Sequence, residues 1–163
     1  MKRIALSLLV AALSFGIAAQ SRSGTSLGIF AGADAPGGST ANIASDGQLH
    51  LNWGFFVNLP LLQTFHIAPS AELYRFKQSN VTDFDIAFKF IVPLSNWGAF
   101  VGISPGLTTV NTLTAPHVGV LGGATFGLVS NLDFFAMVKY TVVFDNSQNA
   151  SVVHANAGIL FSF

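Results

Sequence analysis

The chain has 163 residues, seven Lys and Arg against seven Asp and Glu, no cysteine, and only 9% charged residues, where ordinary soluble domains carry roughly a quarter. This composition excludes a disulfide framework and a lipid-modified amino terminus, and it offers no basic surface for nucleic acid. A water-exposed surface with so few charges would be poorly soluble, so the surface is expected to lie largely out of water.

The first element is an export signal. Met1, Lys2 and Arg3 give a positive start, Ile4 to Phe15 is an uncharged apolar run of 12 residues, and Gly16-Ile17-Ala18-Ala19 supplies the small residues of a cleavage site. A membrane-spanning helix needs roughly twenty apolar residues, so the segment reads as a removed signal, with cleavage after Ala18 or Ala19. Residues 1–19 are the signal peptide and residues 20–163 one domain. Losing Lys2 and Arg3 leaves five basic residues against seven acidic ones, a formal charge of −2 over 144 residues.

Eight strands follow in order. Thr25 to Asp34 is a weak first strand, and Ala35 to Asp46 a Gly/Ala/Ser-rich connection. In Gln48 to Leu59 the odd positions are Leu49, Leu51, Trp53, Phe55, Val57 and Leu59, opposite His50, Asn52, Gly54, Phe56 and Asn58. That period of two marks a strand. After Pro60 to Gln63 comes Thr64 to Phe76, then a break at Gln78 to Asn80. Thr82 to Val92 sets Phe84, Ile86, Phe88, Phe90 and Val92 against Asp83, Asp85, Ala87, Lys89 and Ile91. A helix would spread those charges around every side. Pro93 to Trp97 leads to Gly98 to Thr109, Val110 to His117 to the strand Val118 to Val129, and Ser130 to Leu132 to Phe134 to Phe144. Past Asp145 to Ser151, the last strand alternates Val153, Ala155, Ala157, Ile159, Phe161 and Phe163 with Val152, His154, Asn156, Gly158, Leu160 and Ser162.

An even number of antiparallel strands of about ten residues, with longer connections at one end and tighter turns at the other, is the outer-membrane barrel pattern. The fold class is all-β: an eight-stranded antiparallel up-and-down transmembrane β-barrel. A secreted lipocalin-like carrier of a small apolar ligand is the competitor, since it places its apolar face inside. An eight-stranded barrel has interior volume for one layer of side chains or one small ligand, and the Phe, Leu, Ile, Val and Trp series is too bulky to share it. The opposite face, with Gly28, Gly32, Gly54, Gly102, Gly106, Gly119, Gly123, Gly127 and Gly158 among Ser, Asn and Thr, suits a tight lumen.

The chain resembles the small eight-stranded outer-membrane β-barrel family, the group that includes the OmpX/Ail type and the opacity-protein type. The residues that carry the likeness are Phe163 with Phe161, Ile159 and Ala157, the Gly-Ile-Ser-Pro-Gly-Leu run at 102–107, and Phe135-Ala136-Met137-Val138-Lys139-Tyr140. It extends from about residue 25 to the end. The resemblance implies a place in the bacterial outer membrane and recognition of Ile159, Phe161 and Phe163 by the barrel-assembly machinery. Phe65, Trp97, Phe134, Phe161 and Phe163 would form an aromatic girdle at the periplasmic rim.

Parity sends Glu72, Asp83, Asp85, Lys89 and Lys139 inward, with His50, His66 and His154. Buried charges require partners, so Glu72 and Lys139 are expected to pair across the lumen, with Asp85 and Lys89 extending the network. Arg75 and Lys77 face outward at the outer end of the third strand, where lipopolysaccharide phosphates would meet them; snorkelling to the aqueous boundary explains them equally. No catalytic, cofactor or metal site is expected. His66, Ser70 and Glu72 share an inward face, remote from an outer-leaflet lipid, and the four histidines, His50, His66, His117 and His154, lack paired ligand spacing. The expected function is structural or surface-interacting, with the lumen closed and the outer loops meeting an unidentified partner. A narrow pore for ions or small solutes is the alternative.

Overall fold

The computed structural model describes residues 24–37, 49–76, 79–94, 97–144 and 149–163. The signal segment and Lys77 lie outside the described residues. Those residues form eight strands: β1 Ser26–Gly37, β2 His50–Pro60, β3 Phe65–Phe76, β4 Ser79–Pro93, β5 Trp97–Val110, β6 Leu113–Val129, β7 Leu132–Val143 and β8 Ala150–Ser162. Each strand pairs antiparallel with its sequence neighbours, and β1 pairs antiparallel with β8 from Ser26↔Ser162 to Gly37↔Ser151. The sheet is therefore a closed barrel. Closure leaves no unpaired edge, which the apolar surroundings inferred from the composition require.

Side chains alternate as the period-two pattern dictates. Leu51, Trp53, Phe84, Phe90, Val101, Val120 and Val138 are each more than half exposed on the outer wall, while Asn52, Glu72, Asp83, Lys89, Lys139 and His154 are buried inside. The barrel is thus inverted relative to a soluble protein: its apolar face is outside. Trp97 stacks on Phe126 with ring centroids 6.2 Å apart, and Phe126 lies 6.5 Å from Phe134. These rings band the end of the barrel that carries the chain terminus.

The structure departs from the sequence reading at several connections: Ala35 to Gly37 pair with β8, and Ser79 and Asn80 pair with β3, where the sequence reads as breaks. Val110 to His117 reads as a loop, but β5 runs to Val110 and β6 begins at Leu113, with Val110 paired to Leu113. A tight turn suffices because Asn111 takes a positive φ of 55°, a conformation that asparagine tolerates better than most residues. Pro116 sits inside β6 without an N–H to give, yet its carbonyl accepts from the Phe144 N–H at 2.9 Å. Proline and threonine there extend the hairpin instead of breaking it.

Candidate functional site

The lumen is layered along the barrel axis. At the terminal end, Asn58 Nδ2 meets His66 Nδ1 at 2.8 Å, and Asn58 and His66 line a mouth cavity of about 90 Å³ with Ser26, Gln63, Thr125 and Asp133. Above it, Phe30, Phe56, Phe100, Leu121, Phe135, Met137 and Leu160 pack into one buried apolar cluster. Phe56 meets Phe135 edge-on with centroids 5.2 Å apart. Gly28 makes room for this plug, because a Cβ there would stand 2.4 Å from the Phe56 ring. Parity does put Phe56 inside, but glycine-rich neighbours suggest a polar lumen; Gly28, Gly54 and Gly123 are instead the space into which Phe56, Phe30 and Phe100 fold.

Above the plug lies an ionic network. Lys139 Nζ donates to Glu72 Oε2 at 2.7 Å and to Asp85 Oδ2 at 3.0 Å. His117 Nε2 lies 2.6 Å from Asp85 Oδ1, and its Nδ1 lies 2.7 Å from Thr108 Oγ1. A Cβ at Gly106 would stand 2.5 Å from that Nε2, so the absence of a side chain there allows His117 to lie across the lumen. The Tyr74 hydroxyl donates to Asp83 Oδ2 at 3.2 Å, and Asn156 Nδ2 donates to Glu72 Oε1 at 3.1 Å. Asn52 Nδ2 donates to Asp34 Oδ1. Each of these charges is removed from water, and each contact named here supplies one of the partners that burial demands.

Of the residues expected inside, Glu72 and Asp85 both meet Lys139 directly, and Asp83 accepts from the Tyr74 hydroxyl. Lys89 does not extend the network. Its Nζ lies 4.0 Å from the Phe56 ring centroid and 5.4 Å from that of Phe100, with no carboxylate pairing among the described residues. The reason is geometric: Asp85 and Lys89 are four residues apart on one strand, and strands rise about 3.3 Å per residue. Lys89 therefore faces the plug. Its ammonium is held by aromatic faces.

His66, Ser70 and Glu72 do not assemble as a catalytic group. His66 is engaged with Asn58, the Ser70 hydroxyl points to Asp85 Oδ2 at 3.5 Å, and Glu72 is bound to Lys139. Arg75 is exposed at the outer end of β3. Ile159, Phe161 and Phe163 face outward from β8, with Phe161 paired to Leu27 and Leu132 and the Phe163 N–H donating to the Thr25 carbonyl at 3.0 Å. The residues that sequence reasoning does not single out for the site are Asp34, Asn52, Tyr74, His117 and Asn156. Their inward parity is visible, but which of them meet depends on barrel closure.

No protein-family model matches the chain, and no curated protein matches it by sequence. Solved structures do match. Neisserial surface protein A superposes with a TM-score of 0.71 at 15% identity, covering 85% of this chain and 97% of that one. A de novo designed transmembrane β-barrel gives 0.55 at 14% identity, covering 87% and 98%. The N-terminal barrel domain of Pseudomonas aeruginosa OprF gives 0.50 at 16% identity, covering 83% and 97%. The chain has the fold of the small eight-stranded outer-membrane barrels.

Proposed function

We propose that this chain is an integral protein of the bacterial outer membrane, exported by a cleaved signal peptide and closed to solutes, whose barrel anchors outer connections for a structural or surface-interaction role. One observation carries the reading: the outer wall is apolar through its middle while the lumen is filled by the Phe30–Phe56–Phe100–Phe135 plug and the Lys139 network above it. A lipid environment makes sense of that outer wall. Two stacked obstructions, one apolar and one ionic, argue against a conducting bore, and the cavities of about 20 and 30 Å³ beside Lys89 are water-sized, too small for a lipocalin-type ligand. Among the described residues no lumen group is arranged as nucleophile, base and orienting acid, and the proposed role is a non-enzymatic one.

In this reading residues 38–48 face outside the cell and residues 61–64 face the periplasm. Lipopolysaccharide phosphates contact Arg75 and Lys77, and the assembly machinery captures β8 through Ile159, Phe161 and Phe163 by strand addition. The cysteine-free chain makes the topology testable. Single Ser39→Cys and Gln63→Cys variants are treated with a membrane-impermeant maleimide on whole cells. Labelling of Ser39→Cys alone, with Gln63→Cys reacting only after the outer membrane is opened, is the expected result. Labelling of both or neither, or recovery of the protein in a soluble fraction, contradicts the reading.

A further inference from the structure

Near the outer end of the lumen, three strands bring together a group of side chains that no linear spacing reveals. Asp34 on β1, Glu72 on β3 and His154 on β8 are all buried, and their donor atoms lie within 4.8 Å of one another. His154 Nδ1 stands 2.9 Å from Asp34 Oδ1 and 3.1 Å from Glu72 Oε1. The His154 ring is edge-on to Tyr74, with centroids 5.6 Å apart, which holds its plane. Asp34 pairs in register with His50, the first residue of β2, so the group sits just below the outer rim.

We propose that Asp34, Glu72 and His154 form a binding site for a single divalent transition ion of the zinc class. The donor set fits, because zinc takes imidazole nitrogen and carboxylate oxygen together, commonly with three protein ligands and a fourth position. Tetrahedral bonds of about 2.0–2.1 Å place donor atoms roughly 3.3 Å apart, so the two contacts of His154 at 2.9 and 3.1 Å need to open by a few tenths of an ångström, and the Asp34 and Glu72 oxygens lie within 4.8 Å of each other.

Two amides at the site provide an independent sign. Asn52 and Asn156 are each 3% exposed, and each directs its Nδ2 at a carboxylate of the group, Asn52 at Asp34 and Asn156 at Glu72. Yet Asn52 Oδ1 and Asn156 Oδ1 are buried without a hydrogen-bond partner among the described residues, as is Asp34 Oδ2. Buried orphan oxygens of this kind are uncommon and call for a missing partner. Turning either amide about its last bond exchanges nitrogen and oxygen, which would turn a carbonyl oxygen toward an ion held by the carboxylates.

The test uses the tag-free barrel extracted in detergent, stripped with a chelator and titrated with ZnCl2 by calorimetry, with MgCl2 as the comparison and CoCl2 for visible absorption. The expected result is one zinc per barrel, bound at least a hundredfold tighter than magnesium, with cobalt bands of four-coordinate intensity. Asp34→Asn and His154→Gln each lower the zinc affinity tenfold or more while the barrel keeps its heat-sensitive gel mobility. Failure of the parent barrel to bind zinc saturably at one equivalent overturns the site, as does unchanged affinity in both variants. If neither variant folds, X-ray absorption on the zinc-loaded parent decides: one imidazole among oxygen neighbours supports the site, and a shell with no imidazole or with several overturns it.

Discussion

Lys139 on β7 lies 2.7 Å from Glu72 on β3, and the two are 67 residues apart in the chain. The pair spans the lumen, because β3 and β7 are not neighbours in the sheet, so it is a tie across the barrel in addition to the backbone ladders. Removing one partner of a buried pair leaves an uncompensated charge, at a cost of about 3–5 kcal/mol. Glu72→Gln and Lys139→Met are each expected to destabilise the folded barrel in micelles by that order, read as a lower urea midpoint. The double variant is expected to recover part of the loss. Strictly additive losses in the cycle would show that the two groups are not coupled.

Lys89 makes the opposite case. Its ammonium is buried over Phe56 without a carboxylate among the described residues, and a cation–π contact contributes about 0.5–2 kcal/mol, while desolvating an unpaired ammonium costs several. Lys89→Met keeps the apolar stem and removes the charge. The variant is expected to unfold at equal or higher urea concentration than the parent. A drop of more than about 1 kcal/mol in stability would mean the ammonium has a partner that this geometry lacks.

Phe56 is the centre of the plug, touching Phe30 and Phe135 with ring centroids at 6.3 and 5.2 Å. Phe56→Ala is expected to destabilise by about 3–5 kcal/mol through the cavity it leaves. It also deprives Lys89 of its nearest ring. Planar-bilayer recordings on this variant should show rare, brief current steps that the parent lacks; recordings identical to the parent would place the seal in the Lys139 network alone.

The outer wall is tested by charge placement. Val120 is 56% exposed near the middle of β6, so Val120→Arg puts a guanidinium at mid-bilayer, with a penalty of about 2–4 kcal/mol for a lipid-facing strand position. Leu113→Arg, at the outer start of the same strand, should fall near zero. Equal and small effects at both positions would mean that the wall faces water.

The strands and their inside-outside sense are readable from residue types alone, because a period of two survives in Gln48 to Leu59 and Thr82 to Val92 whatever the neighbours are. Two features are not readable that way. Phe30, Phe56, Phe100 and Phe135 sit at inward parity among small residues, and whether such a ring fills a lumen or strains it depends on what the facing strand leaves empty, as Gly28 does for Phe56. The Asp34–Glu72–His154 group is invisible for a related reason: its members come from β1, β3 and β8, and only the β1–β8 closure brings Asp34 opposite His154. The hairpin at Asn111 was obscured by turn-forming residues that proved compatible with pairing.

Refolding residues 20–163 with and without detergent tests the central claim most directly, with circular dichroism and boiled-against-unboiled gel mobility as the readout and planar-bilayer conductance on the folded product. A closed membrane barrel gives β-rich signal and heat-modifiable mobility only when detergent or lipid is present, and no steady current. A folded monomer in plain buffer would mean the apolar face is inside, and stable conductance steps would mean the lumen is open.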